Sequence, residues 1–152
     1  MHRLAFSALA ALTVSATIAQ ASCPVSMADT SAGIYIDFDG YVVRYNRSPN
    51  GQVEELEFGR EADSGLRFVS MHGILVLSSS DFVRGFIDAA TIETLTYDRP
   101  LPAQITQNMS FTATSTVTLA DASTAEEAIT LTSGTERRER LGGCDMQVIP
   151  VE

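Results

Sequence analysis

Apolar and polar residues alternate along most of this chain with a period of two, the signature of strands with one face toward a core. Ile34-Tyr35-Ile36-Asp37-Phe38 and Tyr41-Val42-Val43-Arg44-Tyr45 flank Asp39-Gly40, the strongest short-range hairpin signal a sequence offers. A two-residue turn there sets Phe38 opposite Tyr41, Ile36 opposite Val43 and Ile34 opposite Tyr45, so all six share one face. Asp37 with Val42 and Tyr35 with Arg44 form the other. Ser48-Pro49-Asn50-Gly51 reads as a second turn. Val53 to Phe58 then predicts a strand with Leu56 and Phe58 inward and Glu55 and Glu57 outward. Leu66 to Met71 is a further strand, and the run Ile74-Leu75-Val76-Leu77 is expected to lie buried on both sides.

The period changes at Phe82, Val83, Phe86, Ile87 and Ala90, which recur at helical spacing. With Ser80 placed as a cap and Asp81 in the first turn, one short helix is expected over 80–90, weakened by Gly85. Ile92 to Tyr97 returns to strand pattern, and Arg99-Pro100-Leu101-Pro102 forces an extended break. Beyond it Ile105, Met109, Phe111, Ala113, Val117 and Leu119 point one way, while the threonines at 106, 112, 114, 116 and 118 point the other. A turn around Asp121-Ala122-Ser123 leads to residues 127–140 as the antiparallel partner, with Ile129 and Leu131 inward. Leu141-Gly142-Gly143 turns the chain again, and Cys144 to Val151 forms the last strand, either a short edge strand or one cut short. The fold class is mainly β: an antiparallel meander forming a sandwich or a curved, half-barrel-like sheet with one short helix.

The N-terminus follows a different rule. Met1-His2-Arg3 is a basic start, Leu4 to Ile18 is apolar, and Ala19-Gln20-Ala21 supplies the small residues of a signal-peptidase site. Residues 1–21 read as a signal peptide cleaved after Ala21, 22–32 as a flexible leader and 33–152 as a single β-rich domain. The apolar stretch is interrupted by Ser7, Thr13, Ser15 and Thr17 and is shorter than the roughly 20 residues that span a bilayer. No stable transmembrane segment is therefore expected in the mature chain. The alternative of an acylated Cys23 lacks the Leu or Val usual three residues before a lipoprotein cysteine. The expected location is periplasmic or extracellular.

Composition narrows the partners. Ten arginines and no lysine stand against nineteen acidic residues, a formal charge of -9. Loss of Arg3 with the leader makes the mature chain more acidic still, so its field repels nucleic acid and anionic lipid headgroups. Hydrophobic residues at 45% and charged ones at 19% are ordinary globular usage, which excludes disorder along the whole chain. The two cysteines, Cys23 and Cys144, are expected to form a disulfide, since export places them where such bonds persist. In the chain-entropy model, closing so long a loop is worth on the order of 4–5 kcal/mol. There is no Cys-x-x-Cys or clustered histidine to suggest a redox or metal site.

Candidate chemistry is sparse. His72 is the one histidine of the mature chain, and any serine or cysteine nucleophile would need it as base. No Gly-x-Ser-x-Gly elbow accompanies it, and a turn or hydrogen-bonding role is the simpler reading. Asp37 and Asp39 suggest a carboxylate pair, but Tyr41 stands where a calcium loop needs a ligand, and Asp39 suits a turn because it tolerates a left-handed backbone. Neither a metal nor a cofactor is expected. Glu136-Arg137-Arg138-Glu139-Arg140 reads as a locally neutral, edge-protecting segment. The threonine alternation over 112–118 is an ordinary exposed strand face, because an ice-binding lattice needs more ranks than a pair of strands provides.

Two main functional readings follow. The first is an exported, non-enzymatic domain acting through contact with an unknown protein partner as an envelope accessory module. The second is a carrier of a lipid or other apolar small molecule, held between a curved sheet and the 80–90 helix and lined by Tyr41, Tyr45, Phe58, Phe68, Met109 and Phe111. A hydrolase using His72 or paired acids is the third.

Overall fold

A computed structural model describes Cys23 and residues 33–59, 64–141 and 143–152. The expected cleavage site and all of the 22–32 leader except Cys23 lie outside the described residues. Eleven strands follow in order: β1 Ile34–Asp37, β2 Tyr41–Arg47, β3 Gln52–Gly59, β4 Ser64–Met71, β5 Leu75–Val83, β6 Phe86–Ile87, β7 Glu93–Tyr97, β8 Ser110–Thr118, β9 Thr124–Thr132, β10 Arg137–Leu141 and β11 Cys144–Val148. Nine form one open antiparallel sheet in the order β1-β2-β3-β4-β5-β7-β8-β9, with β6 folded back on β5, and β10 and β11 form a separate hairpin. The mainly β, antiparallel expectation holds, and the sheet is not closed into a barrel.

The first hairpin has the register that its sequence dictates, with Ile34 opposite Tyr45 and Ile36 opposite Val43. The Phe38 N–H donates to the Tyr41 carbonyl (2.9 Å), and their rings stack at 4.8 Å. One detail differs from expectation: Gly40 takes the positive φ of 94°, and Asp39 does not. A glycine there leaves the aspartate no need to adopt the left-handed region.

The helix expected over 80–90 does not form. Residues 80–83 continue β5, and Arg84 and Gly85, at φ 54° and 79°, make a two-residue turn of the kind that matches strand twist. This sets Phe82 opposite Ile87 and Val83 opposite Phe86. The apolar spacing of this segment is thus a hairpin with a two-residue tip, which places Phe82 and Ile87 together as readily as a helix would. Ser80 is buried in the strand instead of capping. The one helical element there is a 3-10 turn, Ala89–Thr91, capped by Asp88 Oδ1, which accepts from Ala90 N–H.

Farther along, the turn at Asp121-Ala122-Ser123 forms as expected, with Ala122 at φ 64°. Asp121 Oδ1 accepts from the Ser123 N–H (2.9 Å). The partner of β8 is Thr124–Thr132, closer to the turn than 127–140, because the ladder starts at Thr118 opposite Thr124. Leu119 lies in that turn and is exposed. Ile74 is likewise exposed at the β4–β5 turn, so the run 74–77 is not buried throughout. At the other end of β9, Thr132 exchanges two backbone hydrogen bonds of 2.9 Å with Glu152, so the C-terminal residues add a short edge to β9.

Only four apolar side chains, Val43, Leu75, Ala113 and Leu131, are buried among the described residues, together with Ser70, Ser80, Ser115 and Ser133. Three of these serines donate to carbonyls: Ser70 to Val53, Ser115 to Glu127 and Ser133 to Thr106. Cys23 and Cys144 are joined in a disulfide with their Cα atoms 5.5 Å apart, 121 residues distant in sequence. The bridge fastens the N-terminal region to the β10–β11 hairpin.

Among the described glycines Gly65 is the most tightly enclosed. It stands between Phe58 and Phe82 in register, and a Cβ there would collide with the Glu57 carbonyl. The two phenylalanine rings meet edge to face across it at 6.4 Å. Gly65→Ala is expected to cost about 1–3 kcal/mol, as overpacking does; an unchanged midpoint in urea denaturation would contradict this.

Candidate functional site

The register divides the central strands into two faces. On the face of Val43, one line across the sheet runs Tyr45, Glu55, Phe68, Ser79, Glu93, and the next runs Val43, Glu57, Leu66, Asp81. On the opposite face, Arg44, Leu56, Arg67 and Ser80 form one line. All eight residues of β3 are half-buried. Leu56 and Phe58 therefore lie opposite Arg44 and Val42, while Glu55 and Glu57 lie opposite Tyr45 and buried Val43. The expected split of apolar-in and acidic-out is not what the ladder produces: the glutamates share the face of buried Val43.

The acidic line is electrostatically tuned. The Tyr45 hydroxyl donates to Glu55 Oε1 at 3.2 Å. Burial, followed by the charge of Glu55 and this hydrogen bond, pushes the Tyr45 phenol up to about 12. Burial also raises the Glu55 carboxyl; the Tyr45 hydroxyl opposes that shift, and neighbouring Glu57 adds to it. Beyond Phe68, Ser79 Oγ donates to Glu93 Oε2 at 3.2 Å. On the other face Glu54 holds Arg67 at 2.7 Å and Arg44 at 3.6 Å. Arg44 Nε and Ser80 Oγ are buried there without a hydrogen-bond partner.

His72 occupies the β4–β5 turn at φ 58°, followed by Gly73 at 77°. Its Nε2 lies 2.9 Å from the Pro102 carbonyl, which can only accept, so the proton of the neutral ring sits on Nε2. Its backbone N–H donates to the Gly51 carbonyl at 3.1 Å. His72 thereby ties two turns to the Pro102 loop, and its imidazole is engaged by a carbonyl, not by a serine hydroxyl. Asp37 lies in β1 and Asp39 in the turn beyond it. Among the described residues no group of three His, Cys, Asp or Glu side chains could hold a metal ion. Within the charged cluster, Arg137 pairs with Glu139 at 2.8 Å, and Glu136 accepts from Gln107 Nε2 at 3.0 Å.

The six wide side chains proposed for a carrier cavity are not gathered around one space. By register Tyr41, Tyr45, Phe68 and Phe111 share the Val43 face, with Met109 next to β8, whereas Phe58 lies on the opposite face. The depression that Tyr41 and Phe58 do border is shallow and open, about 230 Å³, and is completed by Glu57, Gly59, Gly65 and Leu66. The threonine face extends farther than a strand pair. Ser78, Thr94, Thr118 and Thr124 align across four strands, and Thr112 opposes Thr130.

What sequence reasoning missed is the apolar end of the sheet. Val83, Phe86 and Ile87 are exposed at the β5–β6 tip, and the signal that locates them was Arg84-Gly85, a turn dipeptide masked by apparent helical spacing. No family model, no curated protein and no solved structure matches this chain.

The folded state keeps the Tyr45 proton where an unfolded chain would lose it. The associated stabilisation is present below pH 10 and is lost as pH rises toward 12. For Glu55 the same sign applies, with stability present below the ordinary glutamate value of 4.5 and lost as pH rises through the folded pKa. Ultraviolet titration should therefore show a phenol ionising near 12 that vanishes in Tyr45→Phe, and Glu55→Gln should flatten the fall in Tm above pH 4.5.

Proposed function

We propose that the chain is exported, its leader is removed after Ala21, and the mature domain works in the periplasm or outside the cell through surface contact without catalysing a reaction. The observation that carries this reading is the open sheet: its candidate chemical groups are spread over two faces and several turns, and the depression beside Tyr41 and Phe58 is shallow. Ligand pockets that enclose a small molecule are concave and run to roughly 300–1,000 Å³. The Cys23–Cys144 disulfide supports an oxidising compartment, and no helix among the described residues is long and apolar enough to cross a membrane.

The carrier reading draws little from the geometry. The helix that was to close its cavity is a strand and a turn, and Phe58 faces away from Tyr45 and Phe68. The hydrolase reading needs His72 beside a nucleophile or a facing pair of acids; the His72 ring is engaged by the Pro102 carbonyl, and Asp37 and Asp39 sit in β1 and in the turn beyond it.

Native mass spectrometry of the protein purified from the exported compartment tests these readings. The expected result is a mass for residues 22–152 less two hydrogens, with no additional mass released on denaturation. Bound mass that is lost on denaturation would replace contact by carriage, and an acyl increment on Cys23 would replace a soluble domain by a lipoprotein.

A further inference from the structure

Two strand edges without a ladder partner among the described residues carry opposite charge. β9 lies at one edge of the nine-stranded sheet, and its first five residues, Thr124 to Ala128, are all exposed. Thr132 exchanges its backbone hydrogen bonds with Glu152, on the side away from β8. Backbone direction alternates along a strand, so Thr130, Ala128, Glu126 and Thr124 turn their N–H and C=O groups to that same open side. The pairing with β8 runs from Thr118–Thr124 to Ser110–Thr132 without a bulge, and β9 holds no proline or basic residue, the devices that blunt an edge. In the β10–β11 hairpin the last pair is Leu141 with Cys144, which hydrogen-bonds across the two-residue connection. Arg138 and Arg140 are thereby left with their backbone groups outward. Both side chains are exposed and form no ion pair or side-chain hydrogen bond among the described residues.

These constraints select one match between the two edges. An antiparallel ladder joins residues whose backbone groups both face outward, so Arg138 can stand opposite Thr124, Glu126 or Ala128. Opposite Glu126 it also brings Arg137 opposite Glu127, and each face of the joint then holds an arginine–glutamate pair. A slip of two residues one way sets Glu139 opposite Glu127, and a slip the other way sets Glu136 opposite Glu126, so like charges penalise both neighbouring registers. Within one chain the match is not made, because β10 belongs to the other sheet and the C-terminal residues occupy the end of the β9 edge that leads toward it. We propose that β10 of one copy adds to the open edge of β9 in a second copy of this chain, antiparallel, with Arg138 opposite Glu126 and Arg137 opposite Glu127. The joint runs over 136–140 of one copy and 124–128 of the other, about 17 Å. Arg137 pairs with Glu139 at 2.8 Å in the single chain, and its five donors let it take Glu127 as well. In a pair joined once, one copy keeps its β9 edge and the other its β10 edge, so the contact is head-to-tail and can repeat. The inference stands on these two edges and does not require the export reading.

The test is sedimentation velocity of the disulfide-bonded chain from about 10 µM to about 1 mM, where so small an interface is expected to fill. Salt at about 0.15 M screens the repulsion between acidic copies beyond about 8 Å. The sedimentation coefficient is expected to rise with concentration. Two charge reversals, Glu126→Arg with Glu127→Arg and Arg137→Glu with Arg138→Glu, should each weaken association about tenfold with Tm unchanged. An equimolar mixture of the two reversed chains should restore it, because each offers the other a complementary edge. Ala128→Pro removes an N–H that faces the open side, leaves the β8 ladder intact and should weaken association as well. A sedimentation coefficient that stays constant over the range overturns the inference. So does association that either reversal leaves intact, which would place the contact on another surface such as β1. A mixture that stays monomeric while both reversed chains keep the parental Tm overturns it equally. Should a reversed chain fail to fold, Ala128→Pro decides: undiminished association overturns the inference, and its loss supports it.

Discussion

The nine-stranded sheet of this protein hangs on an antiparallel ladder whose register is set by its turns. With only four apolar side chains buried among the described residues, packing between layers contributes less than in an ordinary core, and cross-strand pairing must hold neighbours in place. The turns accordingly adopt backbone conformations that leave little choice of register. Gly40 and Gly51 are left-handed, and His72-Gly73 and Arg84-Gly85 are left-handed in pairs. Three of the four buried serines, Ser70, Ser115 and Ser133, bond to carbonyls of the adjacent strand or loop and so satisfy their own polarity while adding to the same cohesion.

That construction distributes chemistry widely. A closed barrel or a two-layer core draws side chains toward a common centre; an open meander leaves them in parallel lines on two faces. Tyr45 and Glu55 meet because they are cross-strand partners, and Arg44, Glu54 and Arg67 meet because diagonal neighbours in a sheet lie within reach of long side chains. His72 meets Pro102 because a turn brings it against a loop. None of these contacts converges with another on a common centre. The same openness leaves the strand ends and turns as the places where apolar groups protrude, and at the β5–β6 tip they do so beside an arginine.

The first hairpin was legible residue by residue, since Asp39-Gly40 and the flanking alternation specify the same pairing independently. So were the β8–β9 turn, the reversal before Cys144 and the disulfide, whose two cysteines had only each other, whereas the division of 127–140 into β9 and a separate β10 was not. The segment 80–90 was misleading for a definite reason. Phe82, Val83, Phe86 and Ile87 satisfy a helical spacing of three to four residues and equally satisfy a hairpin with a two-residue tip. Arg84-Gly85 resolves the choice because both residues take positive φ, which a helix forbids. The site suffered the same kind of ambiguity: Phe58 and Tyr45 each read as inward, but their registers put them on different faces.

Sequence alone determined most of the strand content, the turns outside 80–90 and the identity of the cysteine pair, because each depends on neighbouring residues or on simple counting. Only the tertiary structure decided which lines of residues run together across the sheet and which of its faces carries Glu55 and Glu57. Those outcomes depend on strand order and on cumulative register over several turns. An alternating pattern states that a strand has two faces, and the neighbouring strands determine what each face meets.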